Sequence, residues 1–342
     1  GWMMHRTWGG IVAGGLFVLP SVFILIALSW LYLAYGEVPA IAGLLYGIKP
    51  AVVAIVLAAA WRIGSRALKH PALWLISVAA FCAIGIFSVP FPYVVIAAAL
   101  AGAFGGRFAP RVFRAGGAHG AAAHHYGPAI IDDDTPTPEH ARYRPRRLLA
   151  VTGASIGLWA AVLGLLVLAY GGHGTLSQMG WFFTKAALLT FGGAYAVLPY
   201  VYQAAVENHQ WLTATQMIDG LALGETTPGP LIMVVAFVGF VGGWSQALFG
   251  AQHLFLAGAA AAVVATYFTF LPSFLFIFAG APLVEATHGD LKFTAPLTGI
   301  TAAVVGVVVS LAVFFAQHVF LAAEAIDWVS VALAAAALVA LM

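Results

Sequence analysis

Two apolar stretches that are broken at their centres constrain the fold of this chain most. The first covers residues 178–206 and contains Phe191–Gly193, and the second covers residues 217–241 and contains Pro228–Pro230. Glycine loosens a helix and proline removes a backbone donor, so each stretch is predicted to contain unwound backbone at membrane depth. A membrane tolerates such backbone only where protein buries it or where it lines a wet cavity. The two breaks therefore predict a site within the membrane.

Three charged residues lie well inside apolar stretches: Lys185 and Glu225 beside the breaks, and Lys49 in an earlier stretch. A charge at the centre of a membrane helix costs about 2.5–3.5 kcal/mol on insertion scales, so each residue should face a cavity or a partner. Broken helices with ionisable groups beside the breaks are typical of substrate sites in secondary transporters. Each residue also has a structural alternative. Lys49 would be a counter-charge or a donor to carbonyls, Lys185 would snorkel to an interface, and Glu225 would form a salt bridge with either lysine.

The composition is that of a polytopic membrane protein. Hydrophobic residues make up 63% and charged residues 8% of the chain, whereas soluble domains carry about 25% charged residues. The single cysteine, Cys82, lies in an apolar run, which excludes a disulfide framework and a thiol-based metal site. The predicted fold is an all-α polytopic membrane protein with about ten transmembrane helices in two inverted repeats with broken helices.

Hydropathy divides the chain into membrane spans and one long hydrophilic segment. The ten predicted spans are residues 9–35, 40–60, 72–89, 91–106, 148–170, 178–206, 217–241, 254–280, 295–315 and 328–342. Residues 107–147 contain seven arginines and are predicted to be a hydrophilic cytoplasmic linker. His119, His124 and His125 within it are either a metal cluster or part of a Gly/Ala/His-rich tract. The tract is favoured because no carboxylate or cysteine stands at ligand spacing, so no metal site is predicted.

The chain repeats itself at a shift of 252 residues. Leu19–Ser21 falls on Leu271–Ser273, and Ala51–Val53 falls on Ala303–Val305. A common register over this length indicates a duplication. An odd number of spans separates each residue from its copy, so the two copies are predicted to be inverted in the membrane.

The distribution of charge in the loops also predicts inversion. Residues 62–70 carry two arginines and a lysine, whereas the equivalent loop of the second copy carries Glu324 and Asp327. Basic loops stay in the cytoplasm, which places residues 62–70 and 107–147 inside and Glu324–Asp327 outside. Inverted repeats are the basis of alternating access in many secondary transporters.

The repeat defines the predicted domains. Residues 1–106 form the first repeat, residues 107–147 the linker, and residues 148–342 the second repeat. The second copy has both breaks upstream of Pro272, but no equivalent breaks stand upstream of Pro20. The first repeat is therefore predicted to be incomplete at its N-terminus, which leaves open whether the chain is active as given.

Several motifs resemble those of one family. They are FGGAYAVLPY at 191–200, Trp211, LALGETTPGPLIMVVAFVGFVGG at 221–243, FVLPS at 17–21, GLLYGIKPAVVAIV at 43–56 and FLPSFLFIF at 270–278. Together they resemble the chromate ion transporter (CHR) family of ChrA-like proteins, over nearly the whole chain outside the linker. The resemblance implies a secondary transporter that exports chromate, with sulfate as a further substrate, across the inner membrane of a bacterial cell.

The resemblance also defines the expected partners. Transport would be coupled to protons or to the membrane potential, and the partners would be the oxyanion, protons and the lipid bilayer. No cofactor and no nucleic acid is expected, and the oligomeric state is left open. An anion channel, or a transporter of another oxyanion, is the alternative. An intramembrane enzyme is disfavoured because no HExxH, GxSxG or paired-aspartate pattern lies in a span.

An oxyanion needs positive charge and hydrogen-bond donors. The predicted substrate-binding residues are Lys49, Lys185, Phe191, Gly192, Gly193, Tyr195, Thr226, Thr227, Pro228, Gly229 and Pro230. The lysines would supply charge, the glycine amides and hydroxyls would donate, and the prolines would hold the second break open. Alternatively, the glycines permit close helix packing and the threonines bond their own backbone. Glu225 is predicted to carry the coupling proton, because a carboxyl in a poorly hydrated site can titrate near neutrality.

Overall fold

The chain folds almost entirely into α-helices. The computed structural model describes residues 2–113, 140, 144–190, 194–280, 282, 294–322 and 325–341. The helices are α1 (Trp2–Tyr35), α2 (Pro39–Ala67), α3 (Pro71–Gly85), α4 (Phe91–Phe108), α5 (Pro110–Phe113), α6 (Pro145–Tyr170), α7 (Thr175–Leu188), α8 (Ala194–Tyr202), α9 (Ala214–Thr226), α10 (Val234–Ser245), α11 (Leu254–Leu275), α12 (Thr294–Phe320) and α13 (Trp328–Leu341). Shorter elements are the π-helical turns Gln203–Asn208 and Phe276–Gly280, the 3-10 turns Leu231–Met233 and Ala251–His253, and the antiparallel pair β1 (Leu321–Ala322) and β2 (Ala325–Ile326).

Six helical segments in the described part of the chain are long and apolar enough to cross a membrane. They are Met4–Tyr35, Pro39–Ala67, Phe91–Phe108, Pro145–Tyr170, Ala251–Gly280 and Thr294–Phe320. Three further apolar helices, α3, α10 and α13, are shorter than the roughly 17–25 residues that a crossing takes. The all-α membrane fold is confirmed, but the prediction of about ten spanning helices is confirmed only for these six.

The first broken stretch folds back on itself as hairpin 1 (residues 175–208). α7 forms its first arm, and α8 with the π-helical turn Gln203–Asn208 forms its second arm. The ring of Phe182 in α7 lies 5.1 Å from that of Tyr200 and 5.8 Å from that of Trp211, which follows the hairpin. Because α7 has 14 residues, it extends only about 21 Å. Neither arm of hairpin 1 is long enough to cross a membrane alone.

The second broken stretch forms hairpin 2 (residues 214–245) in the same way. Its arms, α9 and α10, are antiparallel, since Gly220 packs against Phe237 and Gly224 against Val234. α9 begins with a capping box, in which the Thr213 hydroxyl accepts from the Gln216 amide at 3.2 Å. α9 ends at Thr226 because the next residue precedes a proline, a position that disfavours helical backbone.

Helices from the two ends of the chain interlock. α12 packs against α2, α3 and α4, while α13 packs against α2. A Cβ atom on Gly306 of α12 would lie 1.8 Å from the carbonyl oxygen of Ser77 in α3, so the two backbones touch at this glycine. α1 runs antiparallel to α11, because Trp30 lies 6.2 Å from Phe255 and Gly10 contacts Phe278.

Burial places the hairpins at the centre of the molecule. α10 is buried from Val234 to Gly243, whereas α6 has no buried residue and lies at the periphery. Hairpin 2 is buried on either side of its break, at Met217–Gly224 in α9 and at Val234–Gly243 in α10, whereas Pro228 and Gly229 are exposed.

Several predictions fall on residues outside the described ranges. They concern the histidine tract and most of the linker, the break at Phe191, Gly192 and Gly193, and Glu324.

Candidate functional site

The tips of the two hairpins meet through a hydrogen bond between side chains. Tyr195, in the first turn of α8, donates its hydroxyl proton to Oε1 of Glu225 at the end of α9, at 2.7 Å. Both residues are half-buried. The structure thus brings together two of the predicted site residues, one beside each break.

The second break also lies against α1. The hydroxyl of Ser21 donates to the carbonyl oxygen of Pro228. Gly229 has a φ of +140°, and a Cβ atom there would lie 1.8 Å from Oγ of Ser21. Glycine is therefore required at position 229 both for its backbone conformation and for space. The bond from Ser21 satisfies a carbonyl that the proline break removes from the helix.

The threonines beside the second break bond their own helix. The hydroxyl of Thr226 donates to the carbonyl oxygen of Leu223 at 2.9 Å, and that of Thr227 to the carbonyl oxygen of Gly224 at 2.8 Å. This is the structural alternative considered for both residues. With their protons used in this way, the two oxygens remain only as acceptors, which an anion does not favour.

A second polar cluster joins α1, α2 and α9. Nζ of Lys49 lies 3.2 Å from Oδ1 of Asp219, and the side chain of Asp219 is 3% exposed. The hydroxyl of Tyr32 donates to Oδ2 of Asp219 at 2.9 Å, while Oδ1 has no hydrogen bond beyond the ion pair. This is the only ion pair formed between the residues that the structure describes. Asp219 precedes Glu225 by six residues in α9, which separates the two clusters by about 9 Å along the helix.

The two predicted lysines differ in their surroundings. Lys49 has the counter-charge role that was its structural alternative, with Asp219 as the partner. Lys185 lies in the last turn of α7 with an exposed side chain. Within the described ranges, neither lysine forms an ion pair with Glu225.

Sequence reasoning missed three residues of these clusters. Asp219 is an acidic residue within the apolar stretch 217–241, and the rule that selected Glu225 applies to it equally. Tyr32 and Ser21 carry no comparable signal, because uncharged polar residues are common in apolar helices. Their roles become visible only when α1 is packed against hairpin 2.

Comparison with known proteins identifies the family. The sequence profile described as "Chromate transporter" matches residues 1–103 and 177–342. The chain belongs to the chromate transporter family. A "Chromate transport protein" of Cupriavidus metallidurans is 28% identical over 320 residues, which cover 93% of this chain and 67% of that protein. A "Chromate transport protein" of Pseudomonas aeruginosa is 33% identical over 314 residues, which cover 90% of this chain and 64% of that protein. No solved structure matches the chain.

The family match can be placed on the structure. The chain spans about two thirds of the length of these chromate transporter relatives. The profile leaves out residues 104–176, which comprise the end of α4, α5, the linker and α6. Every side chain of the two polar clusters lies in the matched segments, so the family resemblance covers the central part of the fold.

Proposed function

We propose that this chain forms a secondary transporter that exports chromate across the inner membrane of a bacterial cell, with sulfate as a further substrate. Membership of the chromate transporter family supports the substrate class, and two relatives are chromate transport proteins. Chromate and sulfate are both tetrahedral dianions, so one site would accept either. The proposal concerns the activity to which this chain contributes, since it spans about two thirds of those relatives.

The observation that carries the proposal is the meeting of the two hairpin tips at Tyr195 and Glu225. Interrupted helices place exposed backbone amides inside the membrane, where they stabilise an anion. We place the anion beside this contact, with Lys185 and the amides of Gly192, Gly193 and Gly229 around it. Phe191, Pro228 and Pro230 would shape the two breaks.

We propose that proton coupling uses the hydrogen bonds at the tips. The hydroxyl protons of Tyr195, Thr226 and Thr227 are all donated to protein oxygens. Protonation of Glu225 would remove a negative charge and release the Tyr195 hydroxyl to donate to an oxyanion. Binding of the proton and of the anion would then favour each other, which is thermodynamic linkage.

Lys49 would supply a second positive charge in the same cycle. Its ammonium group is neutralised by Asp219 at 3.2 Å, so the lysine binds a dianion only after this carboxylate is displaced or protonated. A dianion held by one charge alone would leave net charge in a poorly hydrated place, at a cost of several kcal/mol. Release of the ion pair on substrate binding would couple α2 to hairpin 2.

The proposed architecture is a pair of inverted repeats, comprising residues 1–106 and 148–342 around the linker 107–147. Two structural observations support it. α1 and α11, which align at the 252-residue shift, run antiparallel. At the same shift, α2 aligns with α12 and α3 aligns with α13. Because α12 packs against α3 and α13 packs against α2, the two repeats make equivalent contacts with each other.

Flux measurements in proteoliposomes test the proposed function. We expect chromate to accumulate above its equilibrium level when a pH gradient or a potential is imposed, and sulfate to compete. An anion channel would let chromate follow only its own electrochemical gradient, with no effect of a pH gradient at zero potential. Absence of chromate flux in a protein that retains its thermal stability would contradict the proposed substrate.

A further inference from the structure

A basic cavity lies where α2, α3, α5 and α12 meet at one end of the molecule. It has a volume of about 880 Å³. Five basic side chains line it: Arg62, Arg66, Lys69, His70 and Arg111. These residues come from the end of α2, the loop to α3 and the short helix α5, so the cavity depends on the tertiary fold and not on one run of sequence.

Within the described part of the chain, no negative side chain in the cavity wall neutralises its basic side chains. No carboxylate is among the described residues that line it. The hydroxyls of Thr298 and Thr301 on the wall formed by α12 donate to carbonyl oxygens of their own helix. The donors that remain for a ligand are therefore guanidinium, ammonium and imidazole groups, which together suit an oxyanion. A volume of about 880 Å³ also holds an anion together with several waters, each of which takes about 30 Å³.

One sign of charge dominates the wall of the cavity, because its charged side chains are Arg62, Arg66, Lys69 and Arg111. A low-dielectric cleft lined by one sign of charge raises the local concentration of the opposite ion.

We propose that this cavity binds a free tetrahedral oxyanion of two negative charges, such as chromate or sulfate, before it reaches the hairpin tips. The inference rests on the proposed transport function and adds a second, outer binding site to it. Arg66 and Arg111 bind the anion in the cavity.

A second basic cavity in the same molecule provides the matched control. It has a volume of about 580 Å³ and is lined by Arg6, Arg144, Arg146 and Arg147, with Thr7 and His140. Here the guanidinium of Arg147 donates to the carbonyl oxygen of His140, so part of its donor set is used within the protein. A general effect of basic loops would appear equally at both cavities.

The experiment compares the variants Arg66→Gln/Arg111→Gln and Arg144→Gln/Arg146→Gln in phosphatidylcholine nanodiscs. Binding of radiolabelled sulfate is measured by equilibrium dialysis at low ionic strength, with chromate as competitor. We expect two classes of sulfate-binding site in the unmodified protein. The affinity of one class, the cavity class, should fall about tenfold or more in the first variant only. Lys185→Met should leave the sulfate affinity of the cavity class unchanged. Arg66→Lys/Arg111→Lys should lower that affinity less than the glutamine substitutions do.

The outcomes separate the outer site from the proposed function. Sulfate binding that is equal in both double variants overturns the inference, even where chromate transport is normal. An anionic lipid that copurifies with the protein, is lost in the first variant and blocks sulfate also overturns it, because the cavity is then a headgroup site. Loss of the cavity class in a protein that transports no chromate supports the outer site and contradicts the proposed function.

Discussion

Gly229 is the residue at which a side chain is least tolerated. Its φ of +140° is a conformation that other residues reach only at a cost of about 1–3 kcal/mol. A Cβ atom would in addition meet Oγ of Ser21 at 1.8 Å. We predict that Gly229→Ala lowers the thermal stability in detergent and abolishes chromate flux, because the second break moves away from α1.

Gly250 provides the control for this prediction. It has a φ of +84°, but a Cβ atom there would meet no atom within 4 Å. Gly250→Ala therefore reports the cost of the backbone conformation without the clash, and we expect flux to be retained. Equal losses of stability and flux in the two variants would show that the contact with Ser21 is unimportant.

Glu225 differs from the other carboxylate of hairpin 2 because its partner is neutral. Glu225→Gln keeps an oxygen that accepts the bond from Tyr195, observed at 2.7 Å, but removes the titratable group. If Glu225 carries the coupling proton, this variant should bind chromate and lose the dependence of flux on pH.

Tyr195→Phe is the companion variant. It keeps the carboxyl group and removes the hydroxyl donor, so we expect a weaker apparent affinity for chromate and an intact pH dependence. A pH profile of Glu225→Gln equal to that of the unmodified protein would reduce Glu225 to a structural role.

At the scale of elements, the ion pair between Lys49 and Asp219 fixes α2 against α9. Removing Lys49 leaves the buried charge of Asp219 unpaired, which costs about 3–5 kcal/mol, and removing Asp219 leaves the partly exposed Lys49 without its counter-charge. We predict that Lys49→Met and Asp219→Asn each lower the thermal stability strongly, and that the double variant loses much less than the sum of the two.

Lys69→Met provides a control that removes an exposed lysine just after the end of α2. We expect it to change stability little, since exposed charges contribute little on their own. Additive effects of Lys49→Met and Asp219→Asn would show that the two groups are not coupled, and that the pair does not hold the hairpin in place.

Sequence reasoning located the two breaks but not the path of the chain through them. Proline and glycine report where a helix ends, so the ends of α9 at Thr226 and of α7 near Leu188 were predictable. The reversal of direction depends on packing of Phe182 against Tyr200 and of Gly220 against Phe237. A hydropathy pattern contains no such information, so each stretch was predicted as one span.

At the scale of the whole molecule, the membrane topology distinguishes hairpins from crossing spans. If both hairpins enter and leave on the same side of the membrane, residues in the three loops that flank them share that side. We predict that single cysteines at Gly172, Gln210 and Gln246 all react with an impermeant reagent from one side, in a protein with Cys82→Ala. All three native residues are exposed.

Crossing spans would give a different result. Gln210 would then react from the side opposite to Gly172 and Gln246, which would restore the prediction made from hydropathy. Either path leaves α1 and α11 in opposite directions, because replacing both crossing spans by hairpins removes two crossings in total, which is an even number. The labelling therefore tests the hairpins without disturbing the proposed inversion of the repeats.

The interlocking of α12 with α2, α3 and α4 has a consequence for synthesis of the protein. α4 ends at residue 108 and α12 begins at residue 294, so at about 5–20 residues per second the early helices wait on the order of 10–40 s for their partner. During that time the face of α3 that receives Gly306 lacks its native partner. Assembly of the first half is thus a late event in translation, and a nascent chain arrested before residue 294 contains inserted helices but not their native packing.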